Sequence, residues 1–265
     1  ETKLRFKVNI TSVIFKNRFL RYIRISLLGF LVPVCECGNV PVARRFMLKG
    51  MRPSETITFL LAAPIINPIT IISTSEAFGA NSIILISRVL GGFIIANIIG
   101  MLFGLLKNEE VLLTKNFYLD VCNHNHKNRK ISGKFFEFIE TIKEEFISIL
   151  PVLLIGAFIA SASQIFLPRE VILSIGQNAV LSIVSMLVFA FIISICSSTD
   201  AFVAIAYSKT FVPGAIVAFL TFGPMIDIKI LTLLKSSFKG WVLILLTALA
   251  LLGSFLFGLI INSFL

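Results

Sequence analysis

The chain has 265 residues, of which 57% are hydrophobic and only 14% charged, and its mean hydropathy is +0.95. Soluble globular chains carry about a quarter charged residues, so a water-solvated fold is excluded and the bilayer is the solvent of this one. The formal net charge of +10 could suggest nucleic acid. However, the basic residues stand between apolar segments, where they read as orientation signals and contacts with membrane lipid, with no nucleic acid partner.

Residues 1–24 are polar and basic, with Lys3, Arg5, Lys7, Lys16, Arg18, Arg21 and Arg24. The chain opens at Glu1 without Met and without a signal-peptide pattern. Residues 25–34 are apolar but too short to cross a bilayer core of about 30 Å, which takes about 20 residues. They end in Pro33-Val34-Cys35-Glu36-Cys37-Gly38-Asn39-Val40-Pro41, where two prolines and a glycine predict an interruption of helix. A short segment follows at 42–50, then a span over 54–75 interrupted by Pro64-Ile65-Ile66-Asn67-Pro68. Residues 82–106 are a plain span in which Arg88 either snorkels or pairs with a neighbour, and Gly91, Gly92 and Gly100 suit close helix contact.

Residues 107–134 form a polar loop holding Cys122, His124 and His126, which read as solvated rather than as a metal site. A long helix is expected over 135–167, amphipathic at its start and apolar over 149–167. An apolar run over 171–196 ends in Cys196-Ser197-Ser198-Thr199-Asp200. A short segment at 201–208 leads to a span at 214–234 holding Phe222-Gly223-Pro224-Met225-Ile226-Asp227, and 241–265 closes the chain.

A shift of 160 positions lays Pro53 on Pro213, Phe59 on Phe219, Leu60 on Leu220, Pro64 on Pro224, Ile66 on Ile226 and Asn67 on Asp227. Coincident prolines at coincident helix breaks point to a duplication, with repeat one at 1–106, the polar loop at 107–134 and repeat two at 135–265. The repeat also predicts a first helix upstream of Glu1. If 25–34 with 42–50, and 181–195 with 201–208, each enter the membrane and return, Lys and Arg divide twenty against two between the sides. The positive-inside rule favours that threading. The expected fold is therefore all-α, a polytopic membrane bundle with an inverted repeat and two re-entrant hairpins whose tips meet near mid-membrane.

Irregular backbone at membrane depth survives only where protein buries it or where it lines a polar cavity. The tips carry Cys35, Glu36, Cys37 and Asn39, then Cys196, Ser197, Ser198, Thr199 and Asp200, while the broken spans add Asn67 and Asp227. An intramembrane carboxylate costs roughly 2.5–3.5 kcal/mol on insertion scales. Glu36, Asp200 and Asp227 are thus candidates for a proton relay or cation site, or they close helix breaks, as Asp200 would by capping 201–208. Cys35 and Cys37 straddling a glutamate suit a thiophilic solute or soft metal ion, with Cys196 as a third sulfur. The alternative is cysteine as a small buried hydrophobe.

The segments Pro33-Val34-Cys35-Glu36-Cys37-Gly38-Asn39-Val40-Pro41-Val42-Ala43-Arg44-Arg45, Lys49-Gly50, Ala63-Pro64-Ile65-Ile66-Asn67-Pro68, Cys196-Ser197-Ser198-Thr199-Asp200-Ala201-Phe202 and Phe222-Gly223-Pro224-Met225-Ile226-Asp227 resemble the bacterial predicted-permease family. That family includes efflux permeases for trivalent organoarsenicals and members proposed to export thiophilic metals. The resemblance implies a secondary permease of about eight helices, centred on the cysteine-bearing tips, in a bacterial inner membrane or a plastid membrane. Cys35, Cys37, Cys196, Asn67 and Asp227 would bind the solute, and Glu36, Asp200 and Asp227 would carry coupling ions. No GxxxxGK[ST] nucleotide motif is present, no enzyme activity or cofactor is expected, and coupling to an ion gradient follows as the hypothesis. Two other readings stay open: a membrane thiol oxidoreductase using Cys35 and Cys37, and a non-transporting subunit of a larger membrane complex. An oligomer is compatible with each.

Overall fold

The computed structural model describes residues 18–32, 34–80, 82–106, 109–115, 117–118, 179–208 and 210–264. Pro33, Cys122, His124, His126, the expected helix over 135–167, Arg169, Lys209 and the N-terminal lysines lie outside the described residues.

Among the described residues ten α-helices follow one another: α1 (Arg18–Leu31), α2 (Glu36–Leu48), α3 (Pro53–Ile66), α4 (Pro68–Phe78), α5 (Ile83–Phe103), α6 (Ala179–Ile193), α7 (Asp200–Tyr207), α8 (Pro213–Met225), α9 (Ile228–Leu234) and α10 (Gly240–Phe264). A 3₁₀ turn at Glu109–Leu112 follows α5. Among the described residues, four stretches are long and apolar enough to cross a bilayer: Pro53–Phe78, Ile83–Phe103, Pro213–Leu234 and Gly240–Phe264. The protein is a helical membrane bundle.

Helices apolar on every side are buried ones, whereas a lipid-facing helix keeps one face outward. Every residue of α3 after Pro53 is buried, and so is nearly all of α8, so these two form the centre. By contrast, α5 leaves Ile86, Leu90, Ile94, Ile98 and Leu102 exposed at helical spacing, which is the stripe a bilayer covers. Close approach inside the bundle uses glycine. A Cβ on Gly100 would collide with the Thr58 hydroxyl of α3, and one on Gly214 of α8 would collide with the Gly258 carbonyl of α10.

The helices recur in the same order in both halves, and contacts fix their sense. Tyr22 Oη lies 3.2 Å from Ser54 Oγ, while Gly29 further along α1 packs on Ala63, so α1 runs parallel to α3. Val34, before α2, then lies beside Asn67, and the chain comes back along α2, where Phe46 meets Phe59 edge-on at 5.4 Å. In the second half Ile183 of α6 lies beside Gly258, at the level of Gly214 at the start of α8, and Phe191 lies by Phe222. Tyr207 at the end of α7 returns to Phe189 and Phe211.

These two sets run in opposite senses. Gly91 of α5 packs on Phe257 and Ile95 on Gly253, so α5 and α10 are antiparallel. Lys239 before α10 donates to Leu112 O at 3.0 Å, and Glu109 in the same turn accepts from Ser54 N at 3.0 Å. The start of α10 therefore shares a side with the start of α3, while the start of α8 lies with the end of α10. On the α3 side, Arg21 meets Glu55 at 3.1 Å and Arg44 stacks over Phe117. The same exchange shows in the packing: α2 lies on α9, and α7 lies on α4.

One sequence expectation needs correction. Helix resumes at Glu36, not after Pro41, which sits inside α2. Proline at the sixth position removes a single intrahelical bond, the one to the Cys37 carbonyl, and leaves the rest of the helix intact.

Candidate functional site at the meeting of the two tips

The first tip begins at Cys35, whose extended backbone (φ −64°, ψ 163°) starts α2 without a side-chain cap. Glu36 occupies the first turn, where a helix N-terminus favours negative charge. Gly38 is required here, because a Cβ would strike Val34. Glu36 is 3% exposed and Asn39, one turn on, 1%. Both amide atoms of Asn39 lack a hydrogen-bond partner, although buried polar groups are almost always paired.

The second tip leaves α6 through Ser194, whose φ of 55° lies in the left-handed region that serine rarely adopts. Such strain persists where surroundings impose it, as at ligand-handling sites. The chain then wraps the Cys196 carbonyl, which accepts from Thr199 N at 2.9 Å and Asp200 N at 3.0 Å.

The tips touch. Ser197 N donates to Glu36 Oε2 at 3.1 Å, joining residues from opposite halves of the chain. Asp200 takes two charge-assisted hydrogen bonds from Arg88 of α5, at 2.9 Å and 2.6 Å. Arg88 also donates to Thr74 Oγ1 at 2.7 Å and Ser197 O at 3.2 Å, and it is fully buried. Arg88 thus pairs with a distant partner and does not snorkel. Asp200 opens α7, but its carboxylate is spent on Arg88, and Thr199 at the cap position makes no side-chain capping bond.

The breaks in the two central spans flank the tips. Pro68 has no N–H to offer the Pro64 carbonyl, and Thr70 Oγ1 donates to it instead at 2.9 Å while lying 3.3 Å from Ser197 Oγ. Asn67 caps α4 by accepting from Ile69 N at 3.0 Å, and its amide donates to Val34 O of the first tip at 3.1 Å. At the matching position of the second half, Asp227 caps α9 by accepting from Ile230 N at 2.6 Å. Two residues on, the ammonium of Lys229 lies 3.5 Å from Asp227 Oδ2 and 3.9 Å from Glu36 Oε1.

Of the residues singled out from sequence, Glu36, Asn67, Asp200 and Asp227 come together around the tips, directly or through Ser197, Val34 and Lys229. Cys37 is partly buried and shares the electrostatic neighbourhood of Glu36, Lys229 and Asp227. Cys35 is exposed, its sulfur lying over Gly38. Cys196 is partly buried and accepts a contact from Ser198 Oγ at 3.4 Å. Among the described residues, no three His, Cys, Asp or Glu side chains converge as a metal-holding group. The sequence reading gave neither Lys229 nor Thr70 a role. The Asp227-x-Lys229 spacing at a broken helix was the available signal for the first.

A family model described as "Predicted permease" matches residues 6–263. A Bacillus subtilis (strain 168) relative, the UPF0718 protein YcgR, is 38% identical over 256 residues, covering 93% of this chain and 84% of that protein. A Streptococcus mutans (serotype c) relative, provisionally named a two-component membrane permease complex subunit, is 36% identical over 224 residues, covering 84% and 74% respectively. No solved structure matches the chain.

Proposed function

The chain belongs to the predicted-permease family, and on that premise we propose that it is a secondary permease exporting a small thiophilic solute, a trivalent arsenical or soft metal ion, coupled to an ion gradient. The observation that carries this reading is the Ser197–Glu36 hydrogen bond, which closes two half-length hairpins on each other beside two interrupted spans. In such architectures freed backbone and half-helix ends hold the cargo, and rocking of one repeat against the other exposes it to alternate sides. The duplication expected from sequence fits the opposed senses of the two helix sets, with α1–α2 and α6–α7 as re-entrant pairs.

In this reading Cys35 and Cys37 engage the solute as soft ligands, and Cys196 approaches from the opposite tip. Asn67, the orphaned amide of Asn39 and the Cys37 carbonyl freed by Pro41 supply hard polar contacts. Glu36 and Asp227 carry the coupling charge. Asp200, already neutralised by Arg88, holds the second tip in register and responds to coupling through Ser197.

The test is flux of phenylarsine oxide from proteoliposomes under an imposed proton gradient. Wild type is expected to move it, with Cys35→Ser and Cys37→Ser each lowering the rate at least tenfold. Flux indifferent to collapse of the gradient, or unaltered by both serines, refutes the reading. The name of the streptococcal relative favours one refinement, that this chain works with a second membrane component. Stoichiometric co-purification of such a component from native membranes supports that refinement, and full flux from the chain alone removes it.

A further inference from the structure

The two ion pairs at the centre are built differently. Arg88 and Asp200 meet through two short bonds, 2.6 Å and 2.9 Å, with both side chains at most 3% exposed. That is a closed pair. Lys229 instead stands 3.5 Å from Asp227 and 3.9 Å from Glu36, beyond the roughly 2.7–2.9 Å of a charge-assisted hydrogen bond, and Asp227 Oδ2 accepts no hydrogen bond. One ammonium is held loosely between two carboxylates. Each carboxylate is fixed through its other oxygen by a backbone N–H, from Ser197 for Glu36 and from Ile230 for Asp227. Both therefore present a free oxygen to the same point.

Closing the helix break does not require this charge. Asn67, the repeat counterpart of Asp227, caps its half-helix with a neutral amide, and the counterpart of Lys229 is Ile69. The carboxylate and the ammonium are present together in one half and absent together in the other. With Asp200 neutralised by Arg88, formal charges of Glu36, Asp227 and Lys229 leave one negative charge uncompensated. Burying that charge at membrane depth is costly.

We infer that Lys229 is a tethered counter-cation that sets the charge this centre accepts. It satisfies one of the two carboxylates and leaves room for one further positive charge, a proton or a singly charged ion, while excluding a divalent cation. This deepens the permease reading, and rests on it for the meaning of the site.

The probe is Mn²⁺, which prefers carboxylate and carbonyl oxygen and so keeps the cysteines out of the readout. Binding to the full chain in detergent is followed by electron paramagnetic resonance. Lys229→Met is expected to bind one Mn²⁺ at least tenfold more tightly than wild type, Lys229→Arg to behave as wild type, and Lys229→Met with Glu36→Gln to lose the ion. Lys229→Gln replaces the methionine variant if that one is not monodisperse. Lys229→Met binding no tighter than wild type overturns the inference, as does tight binding by wild type, or Mn²⁺ retained after Glu36→Gln. Absence of phenylarsine oxide flux from wild type alongside the expected Mn²⁺ result refutes transport, while the charge-setting role of Lys229 stands.

Discussion

Arg88→Met tests whether the second tip is held by the Arg88–Asp200 pair. Both side chains are at most 3% exposed, and the guanidinium makes four contacts: two to Asp200, one to Thr74 and one to Ser197 O. Removing it strands a carboxylate in a low-dielectric interior, and breaking a buried pair from one side costs about 3–5 kcal/mol. For a chain somewhat above 150–250 residues each kcal/mol shifts the midpoint by roughly 2–4 °C, so the variant should melt about 6–20 °C below wild type in detergent. Asp200→Asn should lose less than Arg88→Met, because the guanidinium keeps Thr74 and Ser197 O. Replacing both, as Arg88→Met with Asp200→Leu, removes the stranded charge, and an apolar pair can match a buried ion pair. The double variant should therefore recover most of the loss. The assay is thermal unfolding followed by tryptophan fluorescence from Trp241, arranged as a double-mutant cycle. Additive losses, or an Arg88→Met midpoint within about 2 °C of wild type, would show that the two residues do not depend on each other.

Asp227→Asn should keep the fold, since asparagine already caps the equivalent break at residue 67, yet abolish the gradient dependence of phenylarsine oxide flux. A midpoint depressed by more than about 4 °C would contradict the first half of that expectation. Thr70→Val removes the hydroxyl that donates to the Pro64 carbonyl and should cost about 1–3 kcal/mol, read from the unfolding midpoint. Glu109→Gln weakens the cap on α3, where one carboxylate oxygen serves Ser54 N and Ser54 Oγ, and should cost about 0.5–2 kcal/mol with flux retained. Gly214→Val should prevent α8 from meeting α10, seen as aggregation on size exclusion, because the added side chain collides with the Gly258 backbone and not with a movable side chain.

The helix breaks were readable because proline acts locally. Pro64 and Pro68, then Pro224, interrupt hydrogen bonding wherever they stand in a helix, and Asn67 and Asp227 supply the caps their positions suggest. The placement of Lys and Arg is what led to the hairpin threading as an expectation, and the described basic residues Arg21 and Arg44 lie on the side where α3 starts. Pro41 misled for the same local reason: its cost depends on whether the Cys37 carbonyl has somewhere to go, and the sequence does not carry that. Arg88 was undecidable between the interface and a partner, because Asp200 is 112 positions away and only packing of α5 against the second tip unites them. Lys229 went without a role because its two acceptors come from different halves, and nothing short-range in the sequence relates residue 36 to residue 229.

Both ion pairs cross between the halves. Arg88 belongs to the first and Asp200 to the second; Glu36 belongs to the first and Lys229 to the second. The two halves carry helices in the same order, so a chain with two identical charge sets would hold both tips equally. Two closed pairs would lock the halves together, and two loose ones would leave the tips without register. Here the closed pair fixes one tip against α5, while the loose one leaves carboxylate oxygens open to one further charge without unmaking the backbone bonds that place Glu36 and Asp227. In the proposed permease, moving one half over the other would need a contact that persists and a contact that yields, and the difference between the closed and the loose pair offers one of each.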